Sequence, residues 1–391
     1  MNSAMTSRQR VLAVSRGQPA DRVPVMLWLN PHATCRLLAE YQPGPGRLAN
    51  ILARWLWARF LREGGFEASE WTRVLPLLFE EYGNGPYALE LGADLAILSP
   101  ALLSAPRFIR SLGRWDGRLS VRGPFGGGRL ALGGIYLDPV EPAVGCVDAL
   151  DDLVLPALSA GQFSGIRRFR KAHPDACLLV EVTALQQAVS DYILGTEAFM
   201  LALYDAPGHI HAAMERVAGW VEAIIEYSVK AGADLVYLQD DYGATGRPLI
   251  SPKMWRTFTY PHLKRLVEAT HRAGVPFMLH SCGYQMPFLE AYVEAGVDIL
   301  QSFQPKAGND FEAAYARYGD RLTFATGIDT QQGESMSPHQ LRESMRHHIR
   351  TGQRKGRYIM SMTHMMQYTM PRENIRAIFD VVHEIRAGVY V

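Results

Sequence analysis

A short pattern recurs along the chain: a glycine, a small residue and an aspartate, followed at once by apolar residues. It occurs at residues 91–98, 231–238 and 295–300, and a version without the aspartate occurs at 273–279. Each copy follows a stretch with helical spacing of its apolar positions. Glycine readily adopts the left-handed conformation that ends a helix, and an unbroken apolar run is typical of a strand buried on both faces of a parallel sheet. The pattern therefore predicts helix, turn and buried strand, which is half of a βα repeat.

Eight such apolar runs are present, and amphipathic helical stretches separate most of them. One helix is predicted over residues 207–230, and another begins at Ser251-Pro252, where an N-cap residue precedes proline. Eight parallel strands that alternate with helices favour an α/β fold, the closed (β/α)8 TIM barrel. An open doubly wound sheet is less favoured, because no glycine-rich dinucleotide loop follows the first run. The predicted strands are residues 23–28, 94–99, 177–182, 235–240, 276–280, 299–303, 322–326 and 358–362.

Two segments exceed a minimal barrel. Residues 42–90 carry several tryptophans and leucines and predict an N-terminal helical insertion. Residues 118–137 predict an inserted β-hairpin with Gly126-Gly127-Gly128 at its turn. A phosphate-binding loop is disfavoured there, since neither a lysine nor a helix follows these glycines. We expect a single domain over residues 1–391.

Composition and charge narrow the class of protein. Hydrophobic residues make up 48% and charged residues 20% of the chain, and the formal net charge is +1, so no strong field attracts nucleic acid or an anionic membrane. The four cysteines are too few and too widely spaced for a disulfide framework. Residues 1–16 lack an apolar signal core, and no apolar run approaches the roughly 20 residues of a membrane span. These features predict a cytoplasmic protein with a small-molecule substrate, and they leave the oligomeric state open, with a homodimer as one candidate.

The segment His280-Ser281-Cys282-Gly283 carries the sharpest chemical signal. Catalytic groups of a barrel lie where strands end, and side chains two apart on a strand point the same way. His280 and Cys282 can therefore present nitrogen and sulfur to one point, a mixture that zinc accepts. His364, after the last strand, is the best third ligand, and Glu181 or an aspartate at 240–241 could complete the shell. The alternative is a buried, inert cysteine beside a core histidine.

Asp240-Asp241 is the second signal, at the end of the fourth strand. Neighbouring strand residues face opposite ways, so only one carboxylate should enter the site, where it could transfer protons; the other reading is that an aspartate caps the next loop. The catalytic candidates are Asp240, Asp241, Glu181 and His364. The substrate-binding candidates, also at strand ends, are Trp28, Asn30, Tyr242 and Gln304.

A series of motifs, taken in order, resembles the uroporphyrinogen decarboxylase superfamily. They are residues 7–12 with 21–25, Asp240-Asp241-Tyr242-Gly243, Ser251-Pro252 with Trp255, His280-Ser281-Cys282-Gly283, Gly296-Val297-Asp298, Gly327-Ile328-Asp329-Thr330-Gln331, and His364 ahead of 371–375. The resemblance spans nearly the whole chain. It implies a (β/α)8 barrel and one of two activities, decarboxylation of a tetrapyrrole or zinc-dependent methyl transfer between a corrinoid and a thiol or similar acceptor.

Departures from the family pattern separate these two activities. The decarboxylases carry arginines after the first strand and an essential aspartate after the second, whereas residues 29–33 here contain no arginine and Ser99-Pro100 follows the second strand. Uroporphyrinogen itself is thus not the expected substrate. The methyltransferases use His-x-Cys and a later cysteine as zinc ligands; His280 and Cys282 match, and His364 replaces the later cysteine.

The resemblance therefore implies a zinc methyltransferase that takes its methyl group from, or gives it to, a corrinoid on a partner protein. Zinc held by His280, Cys282 and His364 would act as a Lewis acid. Two other hypotheses stay open: a metal-free decarboxylase or lyase of a small carboxylated substrate, with His364 and an aspartate as acid and base, and a barrel that binds a corrinoid or tetrapyrrole without chemistry.

Overall fold

Eight parallel strands form the centre of the molecule and confirm the predicted barrel. The computed structural model describes residues 4–29, 37, 55, 85–98, 113–133, 136–367 and 369–390. From the second strand to the eighth, each strand pairs with the next in chain order, and the first pairs with the eighth. The strands are β1 (Val25–Met26), β2 (Leu95–Leu98), β3 (Cys177–Val182), β4 (Leu235–Gln239), β5 (Phe277–Ser281), β6 (Ile299–Ser302), β7 (Thr323–Ile328) and β8 (Tyr358–Met362).

The barrel is nearly closed at the seam between β1 and β2. The backbone N–H of Asp94, just before β2, donates to the carbonyl of Val25 at 2.7 Å. The Asp94 carboxylate in turn accepts the Val25 N–H at 2.9 Å. One aspartate therefore makes, with its backbone and its side chain, the contacts that a longer strand ladder makes elsewhere.

Helices cover the outside of the barrel. Their ends follow capping chemistry: Thr6 and Ser337 form capping boxes, and the Ser251 hydroxyl accepts the N–H of Met254 ahead of a proline start. The helices are α1 (Ser7–Ser15), α2 (Gly85–Glu90), α3 (Ser164–Ala172), α4 (Thr196–Asp205), α5 (Pro207–Lys230), α6 (Pro252–Phe258), α7 (Tyr260–Arg272), α8 (Leu289–Ala295), α9 (Phe311–Tyr318), α10 (Pro338–Gln353) and α11 (Arg372–Arg386). In the described ranges, none of them is long and apolar enough to cross a bilayer.

The alternation of side chains along the barrel strands determines where the site lies. Inward-facing side chains such as Leu179, Tyr237 and Met278 fill its lower part and are fully buried. Two residues further along each strand the same face becomes polar, because alternate residues share a face. On this level, His280 is in register with Gln239 on one side and Gln301 on the other. The apolar core therefore ends just below the C-terminal rim, where a polar cavity can begin.

The predicted hairpin is part of a four-stranded antiparallel sheet. Its strands are Gly113–Trp115, Arg118–Arg122, Arg129–Gly133 and Tyr136–Glu141, and the triple glycine lies in the connection between the middle two. The chain leaving this sheet bonds to the loop after β3, through the N–H of Ala143 to the carbonyl of Tyr192 at 2.9 Å. Most of the predicted helical insertion, residues 42–84, lies outside the described residues apart from position 55.

Candidate functional site

His280, Cys282 and His364 meet at the C-terminal mouth of the barrel. His280 points inward from β5, Cys282 follows two positions later, and His364 comes two residues after β8. One donor atom from each lies within 4.8 Å of the other two. His280 Nε2 and Cys282 Sγ are 3.3 Å apart. The two histidine rings lie nearly edge to face, with centroids 5.8 Å apart.

Asp241 faces this cluster, and Asp240 does not. Asp241 Oδ1 accepts the backbone N–H of Cys282 at 2.7 Å and lies 3.6 Å from His280 Nε2. Asp240 is fully buried, and its carboxylate accepts the N–H groups of Gln186 and Gln187 at 2.8 and 2.7 Å. Burial raises the pKa of Asp240 to about 7. This geometry fits the expectation that one of the two carboxylates enters the site. Asp240 was predicted as a catalytic residue, and the structure corrects this: its carboxylate links β4 to the segment after β3.

The aromatic side chain of Trp28 flanks the cluster. Trp28 stacks on His364 with a centroid distance of 5.1 Å and an interplanar angle of 23°, and it meets His280 edge to face at the same distance. Tyr192 lies on a π-helix, Ala188–Ile193, a type of helix often found at functional sites. Burial, then the charges of Asp191 and Asp241, raise the pKa of Tyr192 to about 12. The sequence did not predict the π-helix that carries Tyr192, and the described ring contact of Tyr192 is with Phe125, at a centroid distance of 5.6 Å.

The other candidates have different positions. Glu181 is in register with the inward-facing Tyr237, one level below the cluster. Tyr242 turns outward into a fully buried aromatic group with Trp255 and Phe288, which corrects its assignment as a substrate contact. Gln304 is buried, and its Oε1 accepts the N–H of Gly283 at 2.9 Å. It therefore holds the loop that carries Cys282, and its assignment to substrate binding stays a prediction.

One predicted substrate contact lies beyond the description. Asn30, assigned to substrate binding, is outside the described residues. Among the described residues after β1, Trp28 contacts the cluster, whereas Leu29 packs in the outer apolar core. The assignment of Asn30 stays a prediction.

Gln301 is the buried residue of the site that the sequence pattern did not single out. It lies on β6 and is fully buried. Its Oε1 accepts a hydrogen bond from the Tyr237 hydroxyl at 2.7 Å and another from Nδ1 of His280, and its Nε2 donates to the carbonyl of Met362 at 2.6 Å. The available signal was a glutamine inside the apolar strand Ile299–Ser302, a placement that costs free energy unless the amide is hydrogen-bonded.

Burial sets the charge state of the cluster. Burial lowers the pKa of His280, and it lowers the pKa of His364 to about 4, with His280 as the next cause. Burial also raises the pKa of the Cys282 thiol, and Asp241 adds to that rise. Both rings are therefore neutral near pH 7, which is the state in which imidazole binds metals.

The two rings differ in which nitrogen carries the hydrogen. Nδ1 of His364 accepts the N–H of Met365 at 2.8 Å, so a neutral His364 carries its hydrogen on Nε2. His280 has the opposite arrangement, since its Nδ1 faces the accepting oxygen of Gln301. His280 thus directs the electron pair of Nε2 toward Cys282, whereas Nε2 of His364 carries a hydrogen.

The backbone around the cluster is under local strain. Ser302 and Phe303, at the end of β6, have φ values of 100° and 59°, and neither is glycine. Such conformations cost roughly 1–3 kcal/mol each and concentrate at functional sites. They place the Ser302 hydroxyl 4.0 Å from Cys282 Sγ. The strain therefore falls on the strand end that faces the thiol.

The donor set fits zinc. Zinc bonds of about 2.0–2.1 Å to nitrogen and about 2.3 Å to sulfur place the donors of a tetrahedral site roughly 3.3–3.6 Å apart. His280 Nε2 and Cys282 Sγ already have this separation, and the third donor lies within 4.8 Å of both. Asp241 Oδ1 lies 3.6 Å from His280 Nε2 but is not part of the group of donors that lie within 4.8 Å of one another. His364 could bind the metal in two ways. It could present Nδ1 to the metal, or it could move its proton from Nε2 to Nδ1 and bind through Nε2.

Comparison with known proteins places the chain in a family. The family model "Uroporphyrinogen decarboxylase (URO-D)" matches residues 160–385. A curated uroporphyrinogen decarboxylase of Anaeromyxobacter dehalogenans is 25% identical over 387 residues, which cover 96% of this chain and 98% of that protein.

Solved structures agree on the fold. A methyltransferase from Methanosarcina mazei superposes with a TM-score of 0.66 at 16% identity, over 98% of this chain and 99% of that one. A B12-independent methionine synthase from Shewanella sp. W3-18-1, in complex with selenomethionine, gives a TM-score of 0.50 at 12% identity, over 81% and 87% of the two chains. Because the family model matches more than half of the chain, over residues 160–385, the chain belongs to the uroporphyrinogen decarboxylase family.

Proposed function

We propose that the protein is a zinc-dependent methyltransferase that moves a methyl group between a corrinoid, or a methylated small molecule, and a thiol or similar acceptor. The observation that carries this proposal is the convergence of an imidazole nitrogen, a thiol sulfur and a second imidazole within 4.8 Å. A corrinoid in this reaction would be carried by a partner protein. The methyltransferase whose fold the chain shares suggests the reaction class.

The residues of the mouth have distinct parts in this proposal. His280 and Cys282 are the first two zinc ligands, with His364 or Asp241 completing the site. Bound zinc supplies Lewis-acid chemistry, which lowers the pKa of a coordinated thiol toward neutrality. Asp241 holds the backbone of Cys282 in place by accepting a hydrogen bond from the Cys282 N–H. Trp28 covers one face of His364 and limits the access of water.

Metal analysis of the purified protein tests the first step. We expect stoichiometric zinc in the wild type and its loss in Cys282→Ser. Cys146→Ser is the matched control, because Cys146 is an exposed free thiol that is not part of the group of His280, Cys282 and His364. Full zinc retention by Cys282→Ser would rule out the proposed centre. The second step is the decay of methylcobalamin absorbance with a series of thiols, which should need both zinc and the protein.

A metal-free decarboxylase or lyase acting on a small carboxylated substrate is the second candidate. The tautomer of His364 favours it, because Nε2 then carries a hydrogen instead of the electron pair that a metal needs. Asp241 would be the partner base, and the curated relatives are named decarboxylases. Activity that survives strong chelators, in protein free of zinc, would favour this reaction over methyl transfer.

A further inference from the structure

Gln301 occupies the centre of a hydrogen-bond relay that joins four barrel strands. Its side chain starts on β6 and contacts Tyr237 on β4, His280 on β5 and the carbonyl of Met362 on β8. The Met362 carbonyl can only accept, whereas the Tyr237 hydroxyl and the imidazole can each donate or accept. The roles of the other groups can therefore be worked out from this carbonyl.

The orientation of the Gln301 amide follows from Met362. The Met362 carbonyl can only accept, and it lies 2.6 Å from the side-chain nitrogen of Gln301. Reversing the amide would set two oxygens against each other. The nitrogen must therefore face Met362, and Oε1 must face Tyr237 and His280, as an acceptor toward both.

The hydrogen on His280 follows from the Gln301 amide. Because Oε1 cannot donate, Nδ1 of His280 must carry the hydrogen between them. A neutral imidazole has only one such hydrogen, so Nε2 keeps its electron pair, and Nε2 is the atom 3.3 Å from Cys282 Sγ. Second-sphere partners of this kind fix the tautomer of metal-binding histidines.

We propose that Gln301 is a positioning residue that selects the Nδ1–H tautomer of His280 and thereby directs the Nε2 electron pair at the Cys282 sulfur. The tautomer belongs to the metal-free protein as well. Its consequence for metal binding rests on the proposed zinc function. Met362 lies two residues before His364, so the same amide also ties the strand that carries the second histidine to the first.

The direct test is the tautomer of His280 in metal-free protein, read from long-range ¹H–¹⁵N correlations of histidine-labelled protein. The His280 signals are assigned by their loss in His280→Asn. We expect the Nδ1–H form in the wild type. In Gln301→Leu, which keeps the side-chain bulk but removes the acceptor, we expect the Nε2–H form or a mixture. A wild-type His280 protonated on Nε2 would overturn the proposal.

Three further variants separate the tautomer from packing. Gln301→Glu keeps an acceptor oxygen toward His280 and, as a neutral carboxylic acid in this buried position, an O–H donor toward the Met362 carbonyl. It should therefore preserve the Nδ1–H form. Gln239→Leu is the matched control, since Gln239 flanks His280 in register from β4 without a described hydrogen bond to the ring; it should leave the tautomer unchanged. Tyr237→Phe keeps the ring and removes the competing donor to Oε1, and it should also leave the tautomer unchanged. A shift in Tyr237→Phe equal to that in Gln301→Leu would contradict the proposal.

Zinc affinity is the second readout, measured by competition with a chromophoric chelator. Loss of a second-sphere partner typically weakens metal binding about 10–100-fold, so we expect that loss in Gln301→Leu and near wild-type affinity in Gln301→Glu. If the wild type binds no zinc while the tautomer responds as expected, the proposed function fails and the role of Gln301 stands. If zinc binds tightly to a His280 protonated on Nε2, Gln301 is not the positioning residue and the proposed function survives.

Discussion

At the scale of single residues, Gly283 lets the loop that carries Cys282 pack closely against a neighbouring loop, because it has no side chain. It has a φ of +76°, and a Cβ there would overlap the backbone of Gly243 in the loop after β4. The two loops are bonded just beyond this contact, where the N–H of Tyr284 donates to the carbonyl of Ala244 at 3.0 Å. The position of Cys282 thus depends on two backbones touching without side chains.

Gly283→Ala should therefore cost more than backbone strain alone. Left-handed strain for a residue with a Cβ is about 1–2 kcal/mol, and the overlap with Gly243 should bring the total to about 3 kcal/mol. The displaced loop should also lose zinc. Gly274→Ala is the matched control, because Gly274 has a similar φ of +88° with open space around it. Urea unfolding of both variants measures the difference, and equal costs would exclude the close approach as the cause.

Period-two alternation explains which site residues could be predicted. It placed His280 and Cys282 on one face, and it left one of two neighbouring aspartates for the site. It could not place Tyr242, whose side chain turns out with the loop into aromatic packing. Nor could it find Gln301, because the role of this residue depends on partners 64 and 61 positions away along the chain. The local sequence pattern predicts which way a side chain points, whereas the role of a residue such as Gln301 depends on contacts with distant parts of the chain.

At the scale of elements, an ion pair joins α7 to the connection before β6. Nε2 of His271, in the last turn of α7, donates to Oδ2 of Asp298 at 2.7 Å, and the same oxygen accepts the N–H of Phe277 at the start of β5. The hydrogen bond to Asp298 raises the pKa of His271 above its ordinary value of 6.5. A helix and two strands are thereby tied at one carboxylate.

This pair should give a pH-dependent contribution to stability. Because the folded pKa is raised, the contribution is complete below the ordinary pKa of 6.5 and is lost as the pH rises through the folded value. His271 is 41% exposed, so solvent screening limits the effect to about 0.5 kcal/mol. Urea unfolding of wild type and His271→Gln should differ near about pH 5.5 and converge near about pH 9. His383→Gln, in α11, is the control; a difference for His271→Gln that grows with pH would contradict the assignment.

The predicted strand boundaries agree with the observed ones at some strands and differ at others. The predicted strands 177–182 and 358–362 agree with β3 and β8, whereas the first predicted strand, 23–28, shortens to Val25–Met26. The reason is physical: apolar residues at 27–29 continue to pack in the core after the backbone has left the ladder. The hydrophobic pattern predicts which residues are buried, whereas backbone hydrogen bonding determines where a strand ends.

At the scale of the whole molecule, the two ends of the barrel separate stability from chemistry, as in other (β/α)8 proteins. The seam at β1 and β2 is closed on the N-terminal side by Asp94, which is fully buried. Its carboxylate accepts hydrogen bonds from Arg10 at 2.6 Å, from Arg22 at 2.7 Å and from the Ser7 hydroxyl at 2.7 Å. The site lies at the opposite ends of the strands.

Asp94→Asn should accordingly unfold the protein more easily and leave the mouth intact. Removing one partner of a buried ion pair costs about 3–5 kcal/mol, because the guanidinium groups stay buried without their counter-charge. Asp380→Asn is the matched control, since Asp380 makes a two-nitrogen contact with Arg342 at the surface and should cost no more than about 1 kcal/mol. Urea unfolding measures both free energies, and zinc content is measured on the folded fraction. Because the Asp94 contacts close the barrel on the side away from His280, that fraction should keep its zinc; a parallel loss of zinc and stability in Asp94→Asn would show that the two ends are coupled.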